Sequence, residues 1–430
     1  MTCLNIIGGG LSGLSAALKA HDTGFETIRI HERTDHIGGI AHSRLIDGHE
    51  IRTGAVYFRD DPDPQVQLFK DHGLKFERFE SHYGALSEPV KGRNYFQPDF
   101  GGPVLHIGTD GLTLSALSGP DLQARLEQYP ASLAERLKAI ARWHLGGDIS
   151  LISSEAATPM GLNRIIPEGA DLNTLIALKS AQPVYDELYG IARTDWSYNH
   201  NRHAQLPEGG FHTLFSSLEN RLHALGVMIA YKSAFTPDRA AEAIEQGEQI
   251  YWSANPTPLF VHMQLPLPKL VRKDFHVHVF TAEYALNAPY YIHNQTAEGA
   301  VFRLYAYPTE TGAMVTLECV QAASENELRS EVSRLCHLSM ISDLRLGATV
   351  HSERQARWIF HAPETVDAIH HLREKLNQRY GNHFISGAWE LYTRGEKYAH
   401  IAQILENSDR HPEDFLIGGN HLITNSNNAF

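Results

Sequence analysis

Six residues near the start of the chain, Gly8-Gly9-Gly10-Leu11-Ser12-Gly13, and one acid, Glu32, have the types and spacing to hold a dinucleotide. They satisfy G-x-G-x-x-G, with a carboxylate 19 residues after the last glycine. Gly8 permits a tight turn, Gly10 lets backbone approach a pyrophosphate, and Gly13 lets a helix pack closely on a strand. Leu11 and Ser12 open that helix, where free N–H groups and a partial positive charge meet phosphates. Glu32 can accept hydrogen bonds from ribose hydroxyls. The competing reading is a glycine-rich turn with no ligand.

The flanking elements favour the ligand. Cys3 to Ile7 reads as a short apolar strand, Leu14 to Ala20 has helical composition, and Thr27 to His31 is a second β-rich run ending on Glu32. Strand, glycine turn, helix, strand and acid thus follow in the order a nucleotide-binding βαβ unit requires.

The rest of the chain limits the partners. Its 430 residues allow two or three domains and a sizeable core. The formal charge of −13, with no basic block to offset it, argues against a nucleic-acid partner. No apolar run reaches the roughly 18–20 residues needed to span a bilayer. The motif starts within a few residues of Met1, so no signal peptide is expected, and the chain reads as cytoplasmic. Cys3, Cys319 and Cys336 form no C-x-x-C pair and no disulfide framework.

Further along, helices are expected at 65–72, 122–144, 172–189, 214–225, 324–340 and 366–380, with Ser324 and Glu327 forming a capping box. Alternating β-branched and aromatic residues predict strands of an antiparallel sheet at 275–280, 290–294, 301–305 and 314–318. His276 and His278 alternate on one strand face at a spacing compatible with a metal, but no third ligand suggests itself, and no metal is expected. His370-His371 read as surface residues.

Several stretches carry a resemblance. After Glu32-Arg33 comes a second glycine pair, Gly38-Gly39, then Thr53-Gly54-Ala55-Val56-Tyr57-Phe58. Pro207-Glu208-Gly209-Gly210 precedes an amphipathic run, Gln249 to Pro256 reads as a strand and turn, and Asp414 to His421 contains Gly418-Gly419-Asn420. Together these resemble the FAD-dependent amine oxidase, protoporphyrinogen oxidase and UDP-galactopyranose mutase-like flavoproteins. The resemblance covers 1–75, 206–260 and 410–430, with weaker echoes at 285–320.

That resemblance implies an α/β chain: a Rossmann-like, glutathione-reductase-like FAD-binding domain built from 1–75, 206–260 and 385–430. An α+β substrate domain from 76–205 and 261–384 would carry an antiparallel sheet and inserted helices. It implies non-covalent FAD held by Gly8, Gly10, Leu11, Ser12, Gly13, Glu32, Arg33, Gly38 and Gly39. Gly54, Ala55 and Val56 would lie along the isoalloxazine, Phe235 at the adenine, and Gly419, Asn420 and Asn428 in the closing strand and last helix. The family's customary Asp stands here as Asn420, and the last helix is expected to be absent or one turn long. Arg303 occupies the place where the mutase-like branch carries an arginine over the flavin; its competing reading is a salt-bridged strand arginine. His421 would serve as base or flavin hydrogen-bond partner, and Tyr57, with Tyr290, Tyr291 and Tyr305, as cavity wall. The implied function is an amine oxidase-like oxidoreductase removing a hydride from a small or medium organic substrate, with a place in specialised metabolism. The alternatives are a redox-neutral, mutase-like enzyme using reduced FAD and a non-catalytic FAD-binding protein.

Overall fold

A computed structural model describes residues 3–53, 57–59, 63–80, 82–90, 93–98, 119–129, 131–157, 159–162, 203–283, 289–309, 312–338 and 344–406. Two large sheets organise them. The first is parallel, with strand order β10-β2-β1-β11-β17. It comprises β1 (Cys3–Ile7), β2 (Thr27–His31), β10 (Met228–Ala230), β11 (Gln249–Trp252) and β17 (Phe384–Ser386). Every residue of β1 is buried, as a central parallel strand covered on both faces must be.

Alternate residues of these strands face two helical layers. Leu4, Ile6, Ile28, Ile30 and Tyr251 share a core with α1 (Leu11–Asp22), α2 (Pro64–Asp71), α5 (Gly210–Ala224) and α10 (Arg394–Glu406). On the other face, Ile7, Ile250 and Trp252 pack with α6 (Pro237–Glu245), α7 (Thr257–His262) and α9 (Pro363–Tyr380).

The second sheet has seven strands in the order β16-β12-β15-β14-β13-β7-β8, antiparallel except for the β13–β7 pair. They are β7 (His82–Val90), β8 (Arg93–Pro98), β12 (Leu270–Ala282), β13 (Tyr290–Gln295), β14 (Val301–Thr309), β15 (Gly312–Cys319) and β16 (Leu346–His361). One face buries Ile292, Leu304, Val315 and Leu317 under α8 (Glu325–Leu338). The other presents Val277, Tyr305, Tyr307 and Met314 to Ile51, Tyr57 and Tyr291. The expected capping box is present: the Ser324 amide and hydroxyl donate to Glu327, whose own amide returns to Ser324.

Smaller pieces join the two sheets. A hairpin of β3 (Arg44–Ile46) and β4 (His49–Ile51) follows the second glycine pair, and β5 (Phe58–Arg59), β6 (Phe76–Glu80) and β9 (His203–Pro207) form a three-stranded sheet. The single helix expected over 122–144 is instead two, α3 (Leu122–Leu126) and α4 (Ala131–Leu145). Between them stands Tyr129-Pro130, and a residue before proline is pushed out of the helical region. The helix expected at 172–189 lies outside the described residues. Among the described residues no helix is long and apolar enough to cross a membrane.

Candidate functional site

The glycine turn has the geometry its sequence predicts. Gly8 follows β1 with φ +106° and donates its N–H to the His31 carbonyl at 3.0 Å, closing the turn between β1 and β2. At Gly13 a Cβ would stand 1.9 Å from the Gly8 carbonyl oxygen, so only glycine lets α1 pack this close to the turn. Gly10 differs. A Cβ there would meet nothing nearer than the Gly39 Cα, at 4.0 Å, so that side of the backbone is open to a ligand. Gly10 also caps α1 without a side-chain hydrogen bond, leaving the first helical N–H groups, those of Leu11, Ser12 and Gly13, without intrahelical acceptors. An open cradle at an uncapped helix N-terminus suits an anion.

Glu32 is buried at the end of β2. Its carboxylate accepts from the Gly9 N–H at 2.7 Å and from the Thr34 N–H and hydroxyl at 2.8 and 2.9 Å. Burial alone would raise its pKa, but the N–H groups of Thr34 and Gly9 outweigh it and hold the carboxyl below its usual range. Glu32 is thus an oriented anion, held by backbone N–H groups at the end of β2. Gly9 stood in the motif with no role of its own, and Thr34 was not among the expected site residues. Arg33, the next residue, is exposed.

The second glycine pair folds onto the first. Gly38, at φ +105°, donates to the Gly9 carbonyl at 2.8 Å and bridges Gly10, and a side chain there would strike the Phe215 ring. Gly39 lies against the Gly10 Cα. The structure therefore brings Gly8, Gly10, Gly13, Glu32, Gly38 and Gly39 to one crevice at the carboxyl ends of β1 and β2. Phe235 is beside it: its ring lies 4.3 Å from that of His31, with the Arg239 guanidinium 4.8 Å from its centroid. Among the described residues neither the Phe235 amide nor its carbonyl has a backbone partner.

The expected closing segment, 414–421, lies outside the described residues, and Gly419, Asn420 and His421 with it. So do Asn428, Gly54, Ala55 and Val56. The strand that pairs with the outer side of β11 is β17, at 384–386, about thirty residues before the predicted 414–421. The helix expected to be absent or one turn long after Asn420 lies outside the described residues too, and a longer helix precedes that segment. Helix α10 has 13 residues and packs Tyr398, Ile401 and Leu405 into the core that holds Leu14 and Leu18 of α1. After β17, Gly387 donates to the Trp252 carbonyl, which also accepts from the Trp389 indole at 3.1 Å, and a Gly387 Cβ would sit 2.5 Å from that oxygen. Arg394, at the start of α10, pairs with Asp63 at 2.6 Å and lies over the Phe58 ring at 4.5 Å. The sequence did carry a signal here: Phe384-Ile385-Ser386-Gly387 is a short β run ending in glycine ahead of a helical stretch.

On the antiparallel sheet, Tyr57 meets Tyr291 and Tyr305 with ring centroids 6.3 and 6.4 Å apart, and Tyr305 stacks on Tyr307 at 4.9 Å. Arg303 is not in that group. It pairs with Glu318 at 3.3 Å, donates to the Pro159 carbonyl, and lies against the rings of Phe302 and Trp358. Its competing reading, a salt-bridged strand arginine, describes it. The arginine that does reach the tyrosines is Arg52, which is buried. Its Nε donates to Glu50 at 2.7 Å, its Nη1 donates to the Tyr305 hydroxyl at 3.4 Å, and its guanidinium lies 4.7 Å from the Tyr307 ring. Glu50 also accepts from Ser43 and from the His212 N–H in the first turn of α5, and it fills the space a Gly210 side chain would need. Alternating charges at Glu50 and Arg52, just before Thr53-Gly54, were the available sequence signal. His278 donates to or accepts from Ser352, and no group of three His, Cys, Asp or Glu among the described residues could hold a metal.

Comparison with known proteins agrees with this geometry. Residues 6–72 match the NAD(P)-binding Rossmann-like domain family. Over 166 residues, 38% of the chain, the sequence is 26% identical to polyamine oxidase 7 of Oryza sativa subsp. japonica, and the match spans 30% of that relative's length. The structure is similar to that of reduced UDP-galactopyranose mutase, with a TM-score of 0.62 at 13% identity over 95% of this chain and 93% of that one. It is also similar to cyclohexylamine oxidase from Brevibacterium oxydans IH-35A, with a TM-score of 0.54 at 14% identity over 94% and 99%. The chain has the fold these proteins share, a Rossmann-like portion combined with a separate antiparallel sheet.

Proposed function

We propose that this protein binds FAD non-covalently across the crevice at the carboxyl ends of β1, β2, β11 and β17, and uses it as an oxidoreductase on a small or medium organic substrate. The observation that carries the reading is Gly10, whose missing side chain faces open space at an uncapped helix start, with the ionised Glu32 beside it. In this reading the Leu11–Gly13 amides hold the pyrophosphate, Glu32 accepts from ribose hydroxyls, and the backbone amide and carbonyl of Phe235 read the adenine edge. The Gly38-Gly39 turn and Gly54-Ala55-Val56 pass close to the rest of the cofactor, and so does the loop 387–393 that follows β17. FAD so bound supplies a hydride acceptor. The chain's own part is to position the substrate and exclude water, for which the Tyr57–Tyr291–Tyr305 wall is suited. Cys3, Cys319 and Cys336 are all buried, which favours a non-covalent cofactor. We divide the chain accordingly, with 1–75, 206–260 and 385–430 as the cofactor domain and the remainder as the substrate domain.

A redox-neutral reaction is the second reading, favoured by the closer structural likeness to the mutase. One experiment separates them. The purified protein should show a visible flavin band that a substrate bleaches anaerobically. Turnover without net oxidation, and only after chemical reduction, would favour the second reading, and an apoprotein that cannot be reconstituted with FAD would refute both. Gly10→Val should leave the fold intact, since its side chain meets no protein atom nearer than 4.0 Å at Cβ, yet abolish FAD binding.

A further inference from the structure

Behind the adenosine end of the crevice runs a chain of hydrogen bonds whose direction is fixed from one end. Glu248 is flanked by Arg29, which donates to it at 2.8 Å, and by Asn5, whose Nδ2 donates to it at 2.6 Å. An ionised carboxylate only accepts, so the Asn5 amide must turn its nitrogen to Glu248 and its oxygen the other way. That oxygen lies 3.2 Å from His31 Nε2. A carbonyl cannot donate, so Nε2 carries the ring proton. Burial, together with Arg239 and Arg29, pushes the His31 pKa down to about 4, so the ring holds one proton and Nδ1 is bare. Nδ1 then accepts from the Ser233 hydroxyl, 3.2 Å away.

The far end of this relay is the wall of the proposed adenosine seat. The His31 ring packs on Phe235 at 4.3 Å. The Ser233 and Lys232 amides donate to the carbonyls of Glu32 and Thr34, each at 2.8 Å, so the segment before Phe235 is tied to the ribose acid. We infer that His31 is a positioning residue for the adenosine half of the dinucleotide seat: its Nε2–H tautomer, dictated by Glu248 through Asn5, holds Ser233 and the Phe235 segment where the purine packs. This rests on the FAD reading above and adds to it the group that sets the seat's geometry from behind.

The test compares FAD, ADP and FMN, since ADP probes the adenosine half alone and FMN lacks it. His31→Phe keeps a ring against Phe235 but removes both hydrogen bonds. It should weaken FAD and ADP binding by about tenfold and leave FMN unchanged. Nitrogen NMR of the wild type should show His31 as the Nε2–H tautomer. In Glu248→Gln, where the neutral amide no longer compels the direction, both tautomers should appear. Unchanged FAD and ADP affinity in His31→Phe, or an Nδ1–H tautomer in the wild type, would overturn the inference while leaving FAD binding intact. A wild type that binds neither FAD nor ADP would overturn the cofactor reading and this one with it. Should His31→Phe not fold, the tautomer and the ADP affinity of Glu248→Gln decide the matter by the same outcomes.

Discussion

Replacing Glu50 with alanine should destabilise the fold by about 3–5 kcal/mol, the cost of breaking a buried ion pair from one side. Three donors converge on this carboxylate: Ser43 and the His212 N–H at 2.8 Å and Arg52 Nε at 2.7 Å. Losing the two neutral donors' acceptor costs about 1 kcal/mol each, and stranding the buried guanidinium accounts for the rest. Arg52 is 7% exposed and, among the described residues, would keep the Tyr305 hydroxyl at 3.4 Å and the face of Tyr307. Urea unfolding followed by tryptophan fluorescence measures the loss. Removing both charges in Glu50→Leu/Arg52→Met should restore a substantial part of it, because the unpaired cation is gone, and the two changes should be non-additive. A loss below about 1 kcal/mol for Glu50→Ala, the range of exposed pairs, would refute the argument. So would strict additivity in the double variant.

Gly13→Ala should prevent correct folding, because its Cβ would overlap the Gly8 carbonyl at 1.9 Å; a soluble variant with wild-type circular dichroism and melting would contradict the packing described. Acid should weaken the fold through histidines. Burial is the leading cause of lowered pKa at His31, His42, His144, His361 and His400. Such groups bind fewer protons folded than unfolded, so their contribution is complete above the ordinary value of 6.5 and is lost as pH falls below it, for His31 down to about 4. The urea midpoint should therefore drop between pH 7 and pH 5, and a flat profile over that range would be the contrary result.

Much of this was legible in the sequence where local rules and global fold agree. Gly8, Gly10 and Gly13 have separable steric roles, and each is visible in the structure as a positive φ, an open side or a carbonyl at 1.9 Å. The strand beside β11 was not foreseen because three residues, Phe384 to Ser386, carry too little pattern to stand out beside Gly418-Gly419-Asn420, which looks more like the expected motif. The Glu50–Arg52 pair was missed for another reason. Its meaning depends on His212, Tyr305 and Tyr307, which are distant in sequence, and no spacing rule reports that. Arg303 shows the converse limit: a position can match a motif while Glu318, Trp358 and the Pro159 carbonyl, none of them foreseeable from spacing, are what the side chain meets.

The strand order β10-β2-β1-β11-β17 has a kinetic consequence. Its two central strands are finished by residue 31, but their outer neighbours arrive at 228–230, 249–252 and finally 384–386. At ribosomal speeds of about 5–20 residues per second, the first βαβ unit waits roughly 10–45 s for β11, which pairs with the open side of β1. During that time β1 has an unpaired edge, the template on which misassembly and aggregation begin. Helix α10, the last described element, covers α1 only after that. Loss of the last fifty described residues would therefore leave the outer edge of β11 and the outer face of α1 uncovered as well as shortening the fold, and co-translational chaperone dependence should concentrate in the interval before residue 249.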